Sequence, residues 1–271
     1  YLLIFIVLLV SCSSPYYYQL VETKSDNVKL KNNNYYYENQ DVKIYYDLWS
    51  EYGDIGFRIY NKTNDFIYLM LDRTFFVKNG YAMDYFQNRD FGVVDVSSVT
   101  FGQSLAKINK GIKSDEKMAA SKSYNESSAK GESMHFSEVE IVIIPPKSYK
   151  IIREYIITFS TFKYCDYNPL PDEDEIKPLI FTKEDSPMKF SNVISYSTNE
   201  SLTDVKTLKN NFWISKITNY PYEFFFEDSY IGPCGKELLN PNEFYKFQSK
   251  NRYFIPYNVY FNDFDFESGK D

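Results

Sequence analysis

Short apolar and aromatic runs, each broken off by turn-forming residues, recur along almost the whole of this chain, and that rhythm belongs to strands rather than helices. In 55–60, Ile55, Phe57 and Ile59 alternate with Gly56 and Arg58, which places three large side chains on one face of a strand. Asn61-Lys62-Thr63-Asn64-Asp65 follows as a turn, because Asn and Asp tolerate left-handed geometry and hydrogen-bond their own backbone. Residues 66–71 are apolar almost without interruption, as in a strand covered on both faces. Phe75-Phe76-Val77 and Tyr81-Ala82-Met83 flank Asn79-Gly80, whose positive φ angles suit a type I′ turn and predict a tight hairpin. Further strands are predicted at 16–21, 35–37, 42–46, 139–144, 151–159, 193–196, 212–217 and from 253 onward, with Val139, Ile141 and Ile143 sharing a face. Residues 241–248, with Pro241 at their start, are predicted to form one short helix. Many strands, short turns and no alternating βα pattern predict an all-β antiparallel sandwich or barrel.

Two stretches depart from the rhythm. Residues 88–133 are dominated by Ser, Lys, Gly and other small residues, too few of them large and apolar to offset the entropy of ordering. A long flexible insertion is expected there, with at most a helical turn at 105–110. Residues 166–187 are rich in proline and acid, with the run Asp172-Glu173-Asp174-Glu175, and read as an exposed loop.

At the N-terminus, the apolar run from Tyr1 to Val10 ends in Leu9-Val10-Ser11-Cys12 and exits through Ser13-Ser14-Pro15. This is the pattern of a bacterial lipobox, cut before a cysteine that then carries acyl chains. The run is shorter than the ~20 residues a membrane span requires. The expected organisation is a signal peptide over 1–11, truncated before Tyr1, a lipidated anchor and tether over 12–15, and one sandwich domain over 16–271. Several acyl chains, each contributing ~0.8 kcal/mol per buried CH₂, make a durable anchor.

Net charge of −7 and the lack of any Lys/Arg block argue against a nucleic-acid partner, which needs a basic face to displace phosphate counterions. Tyr 27 and Phe 23 raise the aromatic content to 19%, which invites sugar stacking. AT-rich codons combined with β-structure explain the same enrichment. Beyond Cys12, Cys165 and Cys234 are left either to form a disulfide, which would stabilise by ~4 kcal/mol on closing a loop of about 70 residues, or to stand as separate buried thiols.

His135 is the only histidine, which leaves no His-based metal site and no recognisable nucleophile motif. It reads as an exposed residue at a loop edge. Paired carboxylates need no histidine, and Asp47, Glu51, Asp54, the 172–175 run, Asp263 and Asp265 are all available, but only spatial separation can single out two of them. No cofactor is expected, since the chain lacks a Gly-rich phosphate loop and a Ca²⁺-loop pattern.

The motifs Tyr46-Asp47-Leu48-Trp49, Gly56-Phe57, Tyr60-Asn61-Lys62-Thr63, Ile67-Tyr68-Leu69, Phe75-Phe76-Val77-Lys78-Asn79-Gly80 and Asp84-Tyr85-Phe86 together bring a family to mind. So do Ile144-Pro145-Pro146-Lys147-Ser148, Ser186-Pro187 through Phe190-Ser191-Asn192, and Ser215-Lys216-Ile217-Thr218-Asn219-Tyr220-Pro221. In this order the chain resembles a group of uncharacterised lipoproteins of Bacteroidales-type bacteria. The resemblance implies an immunoglobulin-like β-sandwich outside the cytoplasm and carries no activity with it. It also implies placement on the outer membrane facing the periplasm, because surface-exported relatives carry acidic residues directly after the cysteine and this chain has Ser13, Ser14, Pro15 and Tyr16.

Three readings follow. The first is a non-enzymatic, lipid-anchored scaffold or binding module, with the membrane and an envelope protein or glycan as partners. The second is a glycan-binding lipoprotein that uses exposed aromatics such as Trp49 and Trp213. The third, a carboxylate hydrolase, needs two acids across a cleft. Exposed coplanar rings favour the second reading and buried rings favour the first.

Overall fold

The computed structural model describes residues 16–94, 133–231, 234 and 236–258. They fall into two compact units, bounded as Tyr1–Gln87 with Glu140–Asp271, and Asn88–Val139.

The larger unit contains two antiparallel sheets. In spatial order the first holds β11 (Ile141–Ile144), β6 (Ile67–Met70), β14 (Lys189–Ser197), β15 (Lys206–Pro221), β1 (Tyr16–Ser25) and β18 (Arg252–Asn258). The hairpin of β7 (Phe75–Lys78) and β8 (Tyr81–Asp84) joins it through β14, and β13 (Leu179–Ile180) joins through β15. The second sheet runs β12 (Tyr149–Ile152), β5 (Phe57–Asn61), β4 (Val42–Tyr46), β3 (Asn34–Glu38) and β2 (Lys29–Lys31). A separate ribbon pairs β16 (Phe226–Ile231) with β17 (Glu237–Tyr245), and a single helical turn, α1 (Tyr222–Phe225), leads into it. In the smaller unit β9 (Asp90–Val94) pairs with β10 (Ser133–Ser137), and an Arg89–Glu138 ion pair at 2.6 Å closes the ribbon's base.

The all-β antiparallel sandwich read from the sequence is the observed fold. Its core forms where Val21, Phe190, Ile194, Phe212, Ile214 and Ile217 of the first sheet meet Tyr35, Val42, Ile44, Tyr46, Phe57 and Ile59 of the second. Phe212 lies at the centre, 5.0 Å from the Tyr46 ring, 5.2 Å from Phe190 and 5.6 Å from Tyr35. A second cluster packs Leu20, Phe225 and Phe254 under Tyr18, Trp49, Tyr220, Phe226 and Phe247. Among the described residues, part of the aromatic enrichment is therefore core construction.

Local chemistry sets the details. Asn79 (φ 47°) and Gly80 (φ 88°) adopt the left-handed pair that the β7–β8 turn requires. Asn61, fully buried, donates to the carbonyls of Asp65 (2.7 Å), Ile144 (3.0 Å) and Pro145 (3.2 Å), and accepts from the Thr63 N–H. It thereby ties the β5–β6 turn to the end of β11. A register shift between Glu22 and Thr23 leaves Ser215 as the extra residue in β15, where its hydroxyl donates to the Glu22 carbonyl. This bulge reverses parity: Leu208, Asn210, Phe212 and Ile214 face inward before it, Ile217 and Asn219 after it.

Several expectations need correction. Residues 241–248 begin as strand, not helix, because in a two-stranded ribbon the missing Pro241 N–H removes no obligatory bond. The strand expected over 151–159 ends at Ile152, and the chain then crosses the end of the sandwich, where the Ile157 N–H donates to the Gly53 carbonyl and its side chain is buried. The strand expected from Val139 begins at Ile141; on it Ile144 is buried and Ile143 exposed, and Val139 is exposed ahead of it. The reason is that β11 is an edge strand whose parity is set by its register with β6. Within 88–133, residues 90–94 are strand, whereas 95–132, including the turn expected at 105–110, lie outside the described residues.

Candidate functional site

Alternation along the second sheet turns Val42, Ile44 and Tyr46 inward and so directs Lys43 and Tyr45 outward. The same logic directs Arg58 and Tyr60 on β5, Tyr36 on β3 and Lys29 and Lys31 on β2 outward, with Tyr36 and Tyr60 half-buried. Register then assembles them into rows. Lys29, Tyr36, Tyr45, Arg58 and Ile151 lie across one row, and Glu38, Lys43, Tyr60 and Tyr149 across the next.

Cations interleave with rings along these rows. The Lys43 ammonium sits 4.2 Å from the Tyr36 ring centre and 5.1 Å from that of Tyr45. The Arg58 guanidinium lies 4.3 Å from Tyr45 and 5.4 Å from Tyr149. Such contacts contribute ~0.5–1 kcal/mol each at exposed sites and, more usefully here, hold long side chains in place. The Tyr36 and Tyr45 rings are 6.1 Å apart and inclined by 42°, so they do not form a flat platform. Glu38 bridges Lys62 at 2.7 Å and Lys43 at 3.6 Å, and the Lys62 bond, ahead of the Lys43 charge, holds its carboxyl below the usual range.

Two shallow depressions open on this face. One of ≈ 230 Å³ is lined by Lys31, Asn32, Asn34, Tyr36, Lys43 and Tyr45. The other, ≈ 130 Å³, begins at Tyr45 and includes Asp54, Arg58, Ile151, Arg153 and Lys250. Arg153 meets Asp54 at 3.1 Å and Lys250 meets Asp47 at 3.3 Å. Burial raises the Asp54 carboxyl, opposed by the Gly56 N–H and by Arg153.

The residues singled out from sequence are scattered. Cys12 lies outside the described residues, as do Asp263 and Asp265. Cys165 and Cys234 are separate free thiols, both exposed, on different connecting segments, so the structure contains neither the disulfide nor the buried pair. His135 falls within β10, paired with Gly92. Trp49 is packed 5.2 Å from Phe254 and 5.3 Å from Tyr245 in the second cluster, so it is no free sugar platform. Trp213 is half-buried on β15, 5.6 Å from the Lys183 ammonium. Residues 172–175 form a self-capped exposed turn. Asp47 and Asp54 line one depression, but each is engaged by a cation.

Sequence reading missed the tyrosine–cation array. Its only signal was the outward set on each strand, which is legible only once the register joins Tyr36, Tyr45 and Arg58. In comparison with known proteins, the chain matches no family model, no curated protein and no solved structure. The resemblance to Bacteroidales-type lipoproteins, and the immunoglobulin-like kinship it implies, therefore rests on the sequence motifs alone.

Proposed function

We propose that this protein is a non-enzymatic binding module of the cell envelope, anchored through lipid at Cys12 to the outer membrane and facing the periplasm. On this reading the sandwich presents the outer face of its second sheet to an envelope partner. The observation that carries it is the interleaved array of Tyr36, Lys43, Tyr45, Arg58 and Tyr149, an ordered and partly apolar surface on strands rather than on mobile loops. Ion-paired acids and shallow depressions favour binding over hydrolysis. Among the described residues no helix is long and apolar enough to cross a membrane.

Site-specific photo-crosslinking in intact cells tests the face. A crosslinker at Tyr149 is expected to give adducts, whereas one at Lys209, exposed on the outer side of the first sheet, gives few. Equal labelling at both overturns the reading. For the anchor, Cys12→Ala should leave the membrane fraction or remain unprocessed. Degradation of the body by protease added to unlysed cells would place it on the outer surface instead.

A further inference from the structure

Most cations around this face are matched to acids: Lys43 and Lys62 to Glu38, Arg153 to Asp54, Lys250 to Asp47. Three are not. Among the described residues, Lys29, Lys31 and Arg58 have no carboxylate within ion-pair distance, although the chain carries seven more acids than bases. Counting outward strand positions, Lys29, Lys31, Lys43 and Arg58 stand against the single carboxylate of Glu38. A local excess of positive charge on a net-acidic protein selects an anionic partner.

The rest of the face narrows that partner. Tyr149 and Ile151 are exposed beside Arg58, so a ligand meets apolar surface as well as charge. The two depressions, ≈ 230 and ≈ 130 Å³, are smaller than the roughly 300–1,000 Å³ of pockets that engulf a small molecule. Tyr45 lines both, so Lys31 and Arg58 stand in adjacent depressions on one face. Sugar rings offer flat C–H faces to tyrosine, and carboxylates on the same rings offer acceptors to Arg and Lys.

We propose that the outer face of the second sheet binds an anionic polysaccharide of the uronate type. Arg58 and Lys31 take its carboxylates, and the exposed Tyr149 and Ile151 take its ring faces. The proposal rests on the binding-module reading and names its ligand class.

The test uses the detergent-solubilised full chain with polygalacturonate, neutral dextran, poly-glutamate and phosphatidylglycerol vesicles as probes. Polygalacturonate is expected to bind in a salt-sensitive way, and dextran is not. Lys31→Gln with Arg58→Gln should weaken binding on the order of tenfold or more, as loss of charge-assisted hydrogen bonds implies. Tyr149→Ala should weaken it as well, with Tyr149→Phe restoring it, and every variant should keep the parental far-ultraviolet circular dichroism, which shows that it is folded. No binding of polygalacturonate overturns the proposal, as does equal binding of dextran. Equal binding of poly-glutamate that ignores Tyr149→Ala would reduce the face to a charge patch, and a preference for vesicles would make it a lipid contact. If adducts form at Tyr149 in cells while polygalacturonate fails to bind, only the ligand class is wrong. If neither occurs, the binding-module reading falls too.

Discussion

Asn192 and Asn210 stand opposite each other on β14 and β15, both fully buried, and each directs its side-chain amide out of its own sheet. Asn210 donates to the Tyr46 hydroxyl on β4 at 2.7 Å. Asn192 donates to the Ile55 carbonyl at 2.9 Å and accepts from the Tyr85 hydroxyl at 3.0 Å. A polar seam therefore runs through an aromatic core and pins one sheet to the other. Because unpaired buried polar groups are costly, this seam specifies which faces meet as well as how tightly.

The seam predicts coupling. Asn210→Leu should cost ~1–3 kcal/mol by leaving the Tyr46 hydroxyl short of a partner. Combined with Tyr46→Phe, the loss should be smaller than the sum of the single losses. Urea denaturation of the four chains measures this, and strictly additive losses would show that the two residues do not act together.

Alkaline pH should unfold the protein. Burial raises Tyr46, Tyr85 and Tyr253 above the ordinary phenol value near 10. A folded-state pKa above the unfolded one contributes stability that is complete below pH ~10 and is lost as pH rises toward the folded value. Phenolate absorbance should thus rise first from exposed tyrosines, then in a second step coincident with loss of β-structure by circular dichroism. Complete tyrosine ionisation with the fold intact would contradict the burial of these three rings.

Two glycines with positive φ should respond differently to alanine. A Cβ at Gly53 would come 2.8 Å from Ile157 Cδ1 and 2.9 Å from the Tyr253 ring, whereas Gly80 has open space around it. Gly80→Ala should cost only the backbone term of roughly 1–2 kcal/mol. Gly53→Ala adds overpacking of about 1–3 kcal/mol. Thermal melts of both variants check the order, and equal losses would mean that the end of the sandwich yields easily.

Asn61→Ala should be among the costlier polar substitutions, at roughly 1–3 kcal/mol, because it removes the amide that the buried Ile144 carbonyl accepts from, while the Asp65 carbonyl keeps the Thr63 hydroxyl. Asn61→Asp should not rescue it, since a carboxylate only accepts. Amide exchange across 62–66 and 141–145 would locate the damage, and unchanged protection there would rule out the anchoring role.

Period-2 alternation, Asn-Gly at 79–80 and the turn at 61–65 were enough to identify strands, one hairpin and an all-β class, because these depend on near neighbours in the chain. The signals for 241–248 and 151–159 misled for the same reason. Pro241 is compatible with a helix start or an edge strand, and only its partner strand decides. Ile157 has the side chain of a strand residue, yet it closes the end of the sandwich through Gly53. The burial of Trp49, the separation of Cys165 from Cys234, and the meeting of Tyr36, Lys43, Tyr45, Arg58 and Tyr149 on one surface depend on register between strands far apart in sequence. That register follows from which large side chains fill the space between two sheets. It is a property of the packed core as a whole, so the strands and their turns were legible in the sequence, and the face they build emerged only from the tertiary structure.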